Sequence, residues 1–133
     1  MDQDSLKSQP FFKFENLRVY YKAVDLSVAT LSICDIAITP TDKMLAQDLY
    51  KSSVLVMECL SEGASTAKSE FVTLLQKARA AIFMCVNLSL LLRKRGVIDE
   101  VQENDLRNEL MEMTKMTGAL VTSLQNDTRG EVL

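Results

Sequence analysis

The sequence predicts an all-α protein, an antiparallel up-down-up-down four-helix bundle. The chain of 133 residues is 47% hydrophobic but contains only four glycines and two prolines, a composition rich in helix formers and poor in turn residues. Apolar residues recur at spacings of three and four in four long segments, as amphipathic helices require. The links between these segments are short, and short links place consecutive helices side by side in opposite directions.

The first predicted helix covers about 15–38 and ends at Thr39-Pro40, because the residue before proline disfavours helical geometry. It carries two apolar surfaces. One contains Leu17, Tyr20 or Tyr21, Val24, Val28 and Leu31, and the other contains Val19, Ala23, Leu26 and Ile33. The polar residues 1–10 before it are predicted to be flexible.

The second predicted helix covers about 42–62, with Thr41 as its N-cap. Gly63 is predicted to stop it by adopting a left-handed conformation. The third helix covers about 67–95, capped by Ser65 or Thr66 and stopped by Gly96.

The fourth predicted helix covers about 100–125. Asp99 precedes it and Gln102 follows three residues later, which is the pattern of a capping box. The polar segment 126–133 is predicted to be flexible.

The third helix has more apolar surface than one bundle core can bury. A helix at the edge of a small domain needs one apolar stripe, yet apolar residues occur nearly all round this helix. We therefore predict that one side packs within the subunit and another side packs against a second subunit. The interface candidates are Val72, Phe83, Val86, Leu90 and Leu55.

Composition argues against several functional classes. The chain has no histidine, which removes the commonest metal ligand and general base, so no catalytic site, metal, cofactor or small-molecule substrate is predicted. Three cysteines without a CxxC pair indicate a reducing, cytoplasmic location. The uncharged run between Arg79 and Arg93 spans roughly 20 Å at ~1.5 Å per residue. A hydrocarbon layer is about 30 Å thick, so no membrane contact is predicted.

Short motifs along the chain resemble those of a known family. They are Phe14-Glu15-Asn16-Leu17-Arg18-Val19-Tyr20-Tyr21-Lys22-Ala23 followed by Leu26, Leu60-Ser61-Glu62-Gly63, Glu70-Phe71 with Ala78-Arg79, and Gly96-Val97-Ile98. In this order and spacing they resemble the bacterial four-helix-bundle family of proteins encoded in 23S rRNA intervening sequences. The accessory proteins of diversity-generating retroelements are related bundles. The resemblance covers about 14–125.

The resemblance implies a bundle that assembles as a ring-like homopentamer. Its retroelement relatives imply binding to nucleic acid and to a reverse transcriptase. This chain departs from the family pattern where Tyr50-Lys51 replaces a pair of arginines, 55–59 replaces a more polar segment, and Met84 replaces a glutamate. Because these changes remove basic charge and add apolar surface, they favour assembly over nucleic-acid binding.

Several charged residues in the predicted helices have competing interpretations. Arg79 lies among alanines and apolar residues, so we predict a structural ion pair with Glu62 or Glu58, with a ligand or RNA contact as the alternative. The run Arg93-Lys94-Arg95 is assigned to the favourable placement of cations at a helix C-terminus. A basic and aromatic mixture is the remaining candidate for nucleic-acid contacts. Its members are Arg18, Lys22, Lys51 and Tyr50.

Taken together, these patterns predict a non-enzymatic interaction protein that self-assembles, with a homopentamer favoured. The alternative is an accessory protein that binds structured RNA or acts with a reverse transcriptase. Light scattering of the purified protein tests the first, and gel-shift titration at low and moderate salt tests the second.

Overall fold

The computed structural model describes the backbone of residues 11–132 and the side chains of residues 11–126. A short 3-10 helix, Lys13–Asn16, leads into four α-helices: α1 (Arg18–Ile36), α2 (Pro40–Gly63), α3 (Lys68–Lys94) and α4 (Glu100–Val132). The described residues contain no strand, so the all-α prediction is confirmed. The predicted flexible segment 1–10 lies outside the described residues.

The helices pack in a ring of neighbours around one core. Each helix contacts the next along the chain, and α1 returns to contact α4. This is the arrangement of an antiparallel up-down-up-down bundle. The contact between α2 and α3 is the most extensive of the four, and the contact between α1 and α4 is the least extensive.

Two helix starts follow from local hydrogen bonding. The Thr39 side chain accepts a hydrogen bond from the Asp42 backbone N–H at 3.1 Å, and Pro40 occupies the first turn of α2. Thr39 therefore caps this helix, and the prediction of Thr41 is wrong because proline fits the first helical position. At α4 the capping box is confirmed. The Asp99 N–H donates to Gln102 Oε1 at 2.9 Å, and the Gln102 N–H donates to Asp99 Oδ1 at 2.8 Å.

The two link glycines have different roles. Gly96 follows α3 and stops it, as predicted, and its φ of 78° is in the left-handed region. Gly63 is the last residue of α2 and does not have a positive φ, so its predicted left-handed role is wrong. A Cβ at this position would collide with the Phe71 ring, reaching Cε1 at 2.9 Å and Cδ1 closer still. Glycine is needed there because α3 begins against the end of α2.

The remaining helix ends differ modestly from prediction. Ala67 precedes α3 without a side-chain cap, and the Thr66 hydroxyl instead donates to the Gly63 carbonyl oxygen at 2.8 Å. The backbone of α4 stays helical through Val132, beyond the predicted end near 125. Most of the segment 126–133, which the sequence predicts to be flexible, thus continues the α4 helix.

The core lies between the four helices, and α3 supplies the most central part. The largest fully buried apolar side chains are Leu49, Val56, Leu60, Leu75, Ile82, Leu92, Leu110 and Met113. By length and composition, α3 also qualifies as a membrane-spanning helix, and 39% of its most apolar window is buried in the bundle. The core helix of a soluble bundle meets the same criterion.

Candidate functional site

The side of α3 that faces away from the core is largely apolar. Phe83, Met84, Leu90 and Leu91 are each between 39% and 49% exposed. They share that side with Ala80 and Asn87, at spacings of three and four residues that keep side chains on one helix face. We call these six residues the α3 outer face. A monomeric protein rarely exposes so many large apolar side chains together.

The predicted interface residues divide into three groups. Phe83 and Leu90 belong to the α3 outer face and are exposed. Val72 and Val86 are half-buried on the flank of α3. Leu55 is half-buried on α2 and packs against the core. The participation of all five in a subunit interface stays a prediction.

The exposed charges that α3 itself places beside its outer face are basic. Lys77, Arg79 and Lys94 are all exposed, and the Arg79 guanidinium lies 5.2 Å from the centre of the Phe83 ring, within the range of a cation–π contact. Because Arg79 is exposed, it does not need the carboxylate partner that its apolar sequence context suggested. Among the described residues its guanidinium contacts Phe83, and the predicted buried ion pair with Glu58 or Glu62 is wrong.

The basic run at the end of α3 has a structural role that the sequence only partly predicted. Arg93 Nε lies 2.6 Å from Glu103 Oε1, and Arg95 Nε lies 2.7 Å from Asp42 Oδ1. Both acids are buried. The Arg95 hydrogen bond lowers the pKa of Asp42, and the Thr39 hydroxyl lowers it further. These pairs tie α3 to α4 and to the start of α2, so Arg93 and Arg95 are occupied within the subunit.

The predicted nucleic-acid residues do not form one surface. Lys22 Nζ donates to Glu112 Oε2 at 3.0 Å and to Glu109 Oε2 at 3.2 Å. These contacts raise the pKa of Lys22, and the two carboxylates offset its positive charge. Arg18 and Lys51 are exposed, but the hydrogen bond between Thr30 and Ser53 places Lys51 beside the second half of α1. Arg18 at the start of α1 is therefore roughly 20 Å away along the bundle, at ~1.5 Å per residue.

The cysteines are suited to packing rather than to chemistry. All three are free, with Cys59 and Cys85 buried and Cys34 half-buried. Burial raises the pKa of the Cys85 thiol to about 12, which keeps it protonated and unreactive. Within the described residues, no group of three or more cysteine, aspartate or glutamate side chains is placed to hold a metal ion.

The sequence showed two apolar surfaces on α1 but did not indicate which of them faces away from the core. Of its two apolar surfaces, the one with Val19, Ala23, Leu26 and Ile33 is buried in the core. Tyr21, Val28 and Leu31 from the other are exposed. The buried surface also carries Thr30, whose hydroxyl lies 2.9 Å from that of Ser53 on α2. The small hydroxyl side chain of Thr30 allows α2 to approach closely. Its presence was the sequence feature that could have indicated which surface of α1 faces the core.

The chain matches no protein-family model, and no curated protein sequence matches it. The structural observations therefore carry the functional argument. They show exposed apolar surfaces on α1 and α3. They also show ion pairs at the end of α3 that link it to α4 and to the start of α2.

Proposed function

We propose that this protein is a non-enzymatic interaction protein that self-assembles through the outer side of its bundle. The observation that supports it is the α3 outer face, on which four large apolar side chains are exposed over two to three helical turns. Burying such side chains in a subunit contact gains roughly 25 cal/mol per Å² of apolar surface. A second subunit provides that burial without any further partner.

A homopentamer is the form of assembly that we propose. It is the assembly implied by the resemblance to the proteins of 23S rRNA intervening sequences, and we include membership of that family in the proposal. A cytoplasmic location is consistent with three free thiols, because disulfides persist mainly in oxidising compartments.

Light scattering coupled to size exclusion tests the proposal directly. We expect a particle of five times the 14.9 kDa subunit mass. Leu91→Glu should shift the particle toward the monomer, because it places a carboxylate in the α3 outer face. Val101→Glu is the matched control, since Val101 is an exposed apolar residue on a different helix, α4. A wild-type species of 14.9 kDa at all concentrations would contradict self-assembly.

The second candidate function is that of an accessory protein for structured RNA or for a reverse transcriptase. One observation favours it, which is that the exposed charged residues of α3 between Phe71 and Lys94 are all basic, namely Lys77, Arg79 and Lys94. A ring would repeat this weak site in every subunit and so raise its avidity.

Gel-shift titrations at low and moderate salt test nucleic-acid binding, which should weaken as salt rises. The double substitution of Lys77 and Lys94 by alanine should reduce it, whereas Lys43→Ala on α2 should not. Absence of a shift at low salt would exclude direct RNA binding.

A further inference from the structure

The exposed apolar residues of α1 form a second stripe that matches the α3 outer face in size. Tyr21, Val28 and Leu31 are 48–62% exposed, and the half-buried Val24 lies between them in the helix. Their spacing of three and four is that of a coiled-coil seam. We call these four residues the α1 stripe. It spans roughly 15 Å, against roughly 16 Å for the α3 outer face, at ~1.5 Å per residue.

The two surfaces belong to helices that are diagonal in the bundle. Within the described residues α1 and α3 have no close backbone approach, and the α-helices that each contacts are α2 and α4. The α1 stripe of one copy can therefore meet the α3 outer face of another copy, but the two cannot meet within one subunit.

The exposed charges that α1 and α3 themselves carry along these surfaces are mainly opposite in sign. From Ala23 to Ile38 the charged residues are Asp25 and Asp35, both exposed. At the start of the α1 stripe, Lys22 is paired with Glu109 and Glu112, and the exposed Arg18 lies one turn before Tyr21. Between residues 71 and 94 all four charged residues are basic, and three of them, Lys77, Arg79 and Lys94, are exposed. Packing α3 on α3 would place bases together, and packing α1 on α1 would place acids together. Of these three pairings, that of α1 with α3 combines apolar contact with charge complementarity, which selects among otherwise similar helix pairings.

We infer that the subunits join by packing the α1 stripe of one copy against the α3 outer face of the next. This inference rests on the proposed self-assembly and names its two surfaces. Such a contact is heterologous, because each subunit contributes two different surfaces. Repetition of a heterologous contact produces a closed ring when the rotation between subunits closes. It assigns to α1 the role that the sequence had suggested for Leu55 on α2.

A mixing experiment distinguishes this pairing from the alternatives. Val28→Glu blocks the α1 stripe, and Leu91→Glu blocks the α3 outer face; both residues are exposed, so the bundle should still fold, as circular dichroism would verify. Each variant alone should be monomeric by light scattering. An equimolar mixture should form a one-to-one complex of twice the 14.9 kDa mass, because one intact copy of each surface remains.

Charge exchange provides the second arm of the test. Replacing Asp25 and Asp35 by lysine should weaken assembly about tenfold at low salt, and adding Lys77→Glu and Lys94→Glu to the same chain should restore it. The restoration is specific to a contact between α1 and α3, since an α3-on-α3 contact would be unaffected by the aspartate changes.

The possible outcomes separate this inference from the proposed function. If Val28→Glu assembles on its own while Leu91→Glu is monomeric, self-assembly would be supported and the α1–α3 pairing overturned. Failure of the mixed variants to form a heterodimer would overturn the pairing too. A monomeric wild-type chain would overturn both proposals. Sedimentation of that monomer with phosphatidylserine-containing vesicles would assign the α3 outer face to a lipid surface.

Discussion

At the residue scale, the three thiols differ in burial and therefore in reactivity. The pKa of Cys85 is raised to about 12 by burial. The pKa of Cys34 is raised as well, by partial burial and by the neighbouring Asp35 carboxylate, but its side chain is only half-buried. Because a thiol must be both reachable and deprotonated to react, we expect native alkylation in the order Cys34, Cys59, Cys85.

Mass spectrometry after timed iodoacetamide treatment at pH 8 would measure this order. Cys34→Ser should remove the fastest-modified site and leave the other two slow. Rapid modification of Cys85 in the folded protein would show that the centre of α3 is open to solvent.

Asp42 gives a second residue-scale prediction, on pH dependence. Its pKa is below the ordinary value of 3.8, chiefly because Arg95 hydrogen-bonds to its charged form. A lowered carboxyl pKa means that Asp42 contributes its full stability above pH 3.8 and loses it as the pH falls through the lowered value. Asp42→Asn should therefore lower the thermal midpoint at pH 7, and the difference from wild type should shrink below pH 3.8.

Thermal melts from pH 7 to pH 2 would test this dependence. Asp48→Asn, an exposed change on the same helix, is the control and should leave the midpoint near that of wild type. A difference between Asp42→Asn and wild type that is constant over the whole pH range would contradict the charge-based explanation.

At the element scale, the link between α2 and α3 depends on the absence of a side chain at Gly63. An added Cβ would meet the Phe71 ring, and overpacking of this kind costs about 1–3 kcal/mol. Gly63→Ala should destabilise the protein by that amount, and combining it with Phe71→Leu should recover part of the loss.

Gly118→Ala on α4 is a control with the opposite expected sign. Nothing lies within 4 Å of the added Cβ there, and alanine favours a helix over glycine by up to about 1 kcal/mol. Urea denaturation measures all these variants, and equal effects at the two glycines would contradict a packing role for Gly63.

The helices themselves could be predicted from the sequence because their signals are local. The stop at Pro40, the capping box at Asp99 and the left-handed Gly96 each depend on residues a few positions apart. The orientation of α1 could not be predicted in this way, since both of its surfaces are apolar. The structure selects one surface of α1 through its close packing against α2, which includes the hydrogen bond between Thr30 and Ser53. These contacts join residues that are distant in the chain. The surroundings of Arg79 and Gly63 likewise depend on how neighbouring elements pack.

At the scale of the whole molecule, assembly should make stability depend on protein concentration. Subunits that associate only when folded are stabilised by mass action, so the thermal midpoint of the wild type should rise as concentration increases. Leu91→Glu should melt at a lower temperature that does not change with concentration. Scanning calorimetry over a hundredfold range would measure this, and a wild-type midpoint independent of concentration would contradict it.

The contact between α1 and α4 has a consequence for how the chain is made. The partners of Lys22 on α4, Glu109 and Glu112, lie 87 and 90 residues further along the sequence. During synthesis from the N-terminus, α1 emerges first, but it cannot form this ion pair until most of the remaining chain has left the ribosome. The hairpin of α2 and α3, whose contact is the most extensive, can form earlier from neighbouring segments. A nascent chain therefore carries α1 without its α4 partners until 90 residues beyond Lys22 have been synthesised.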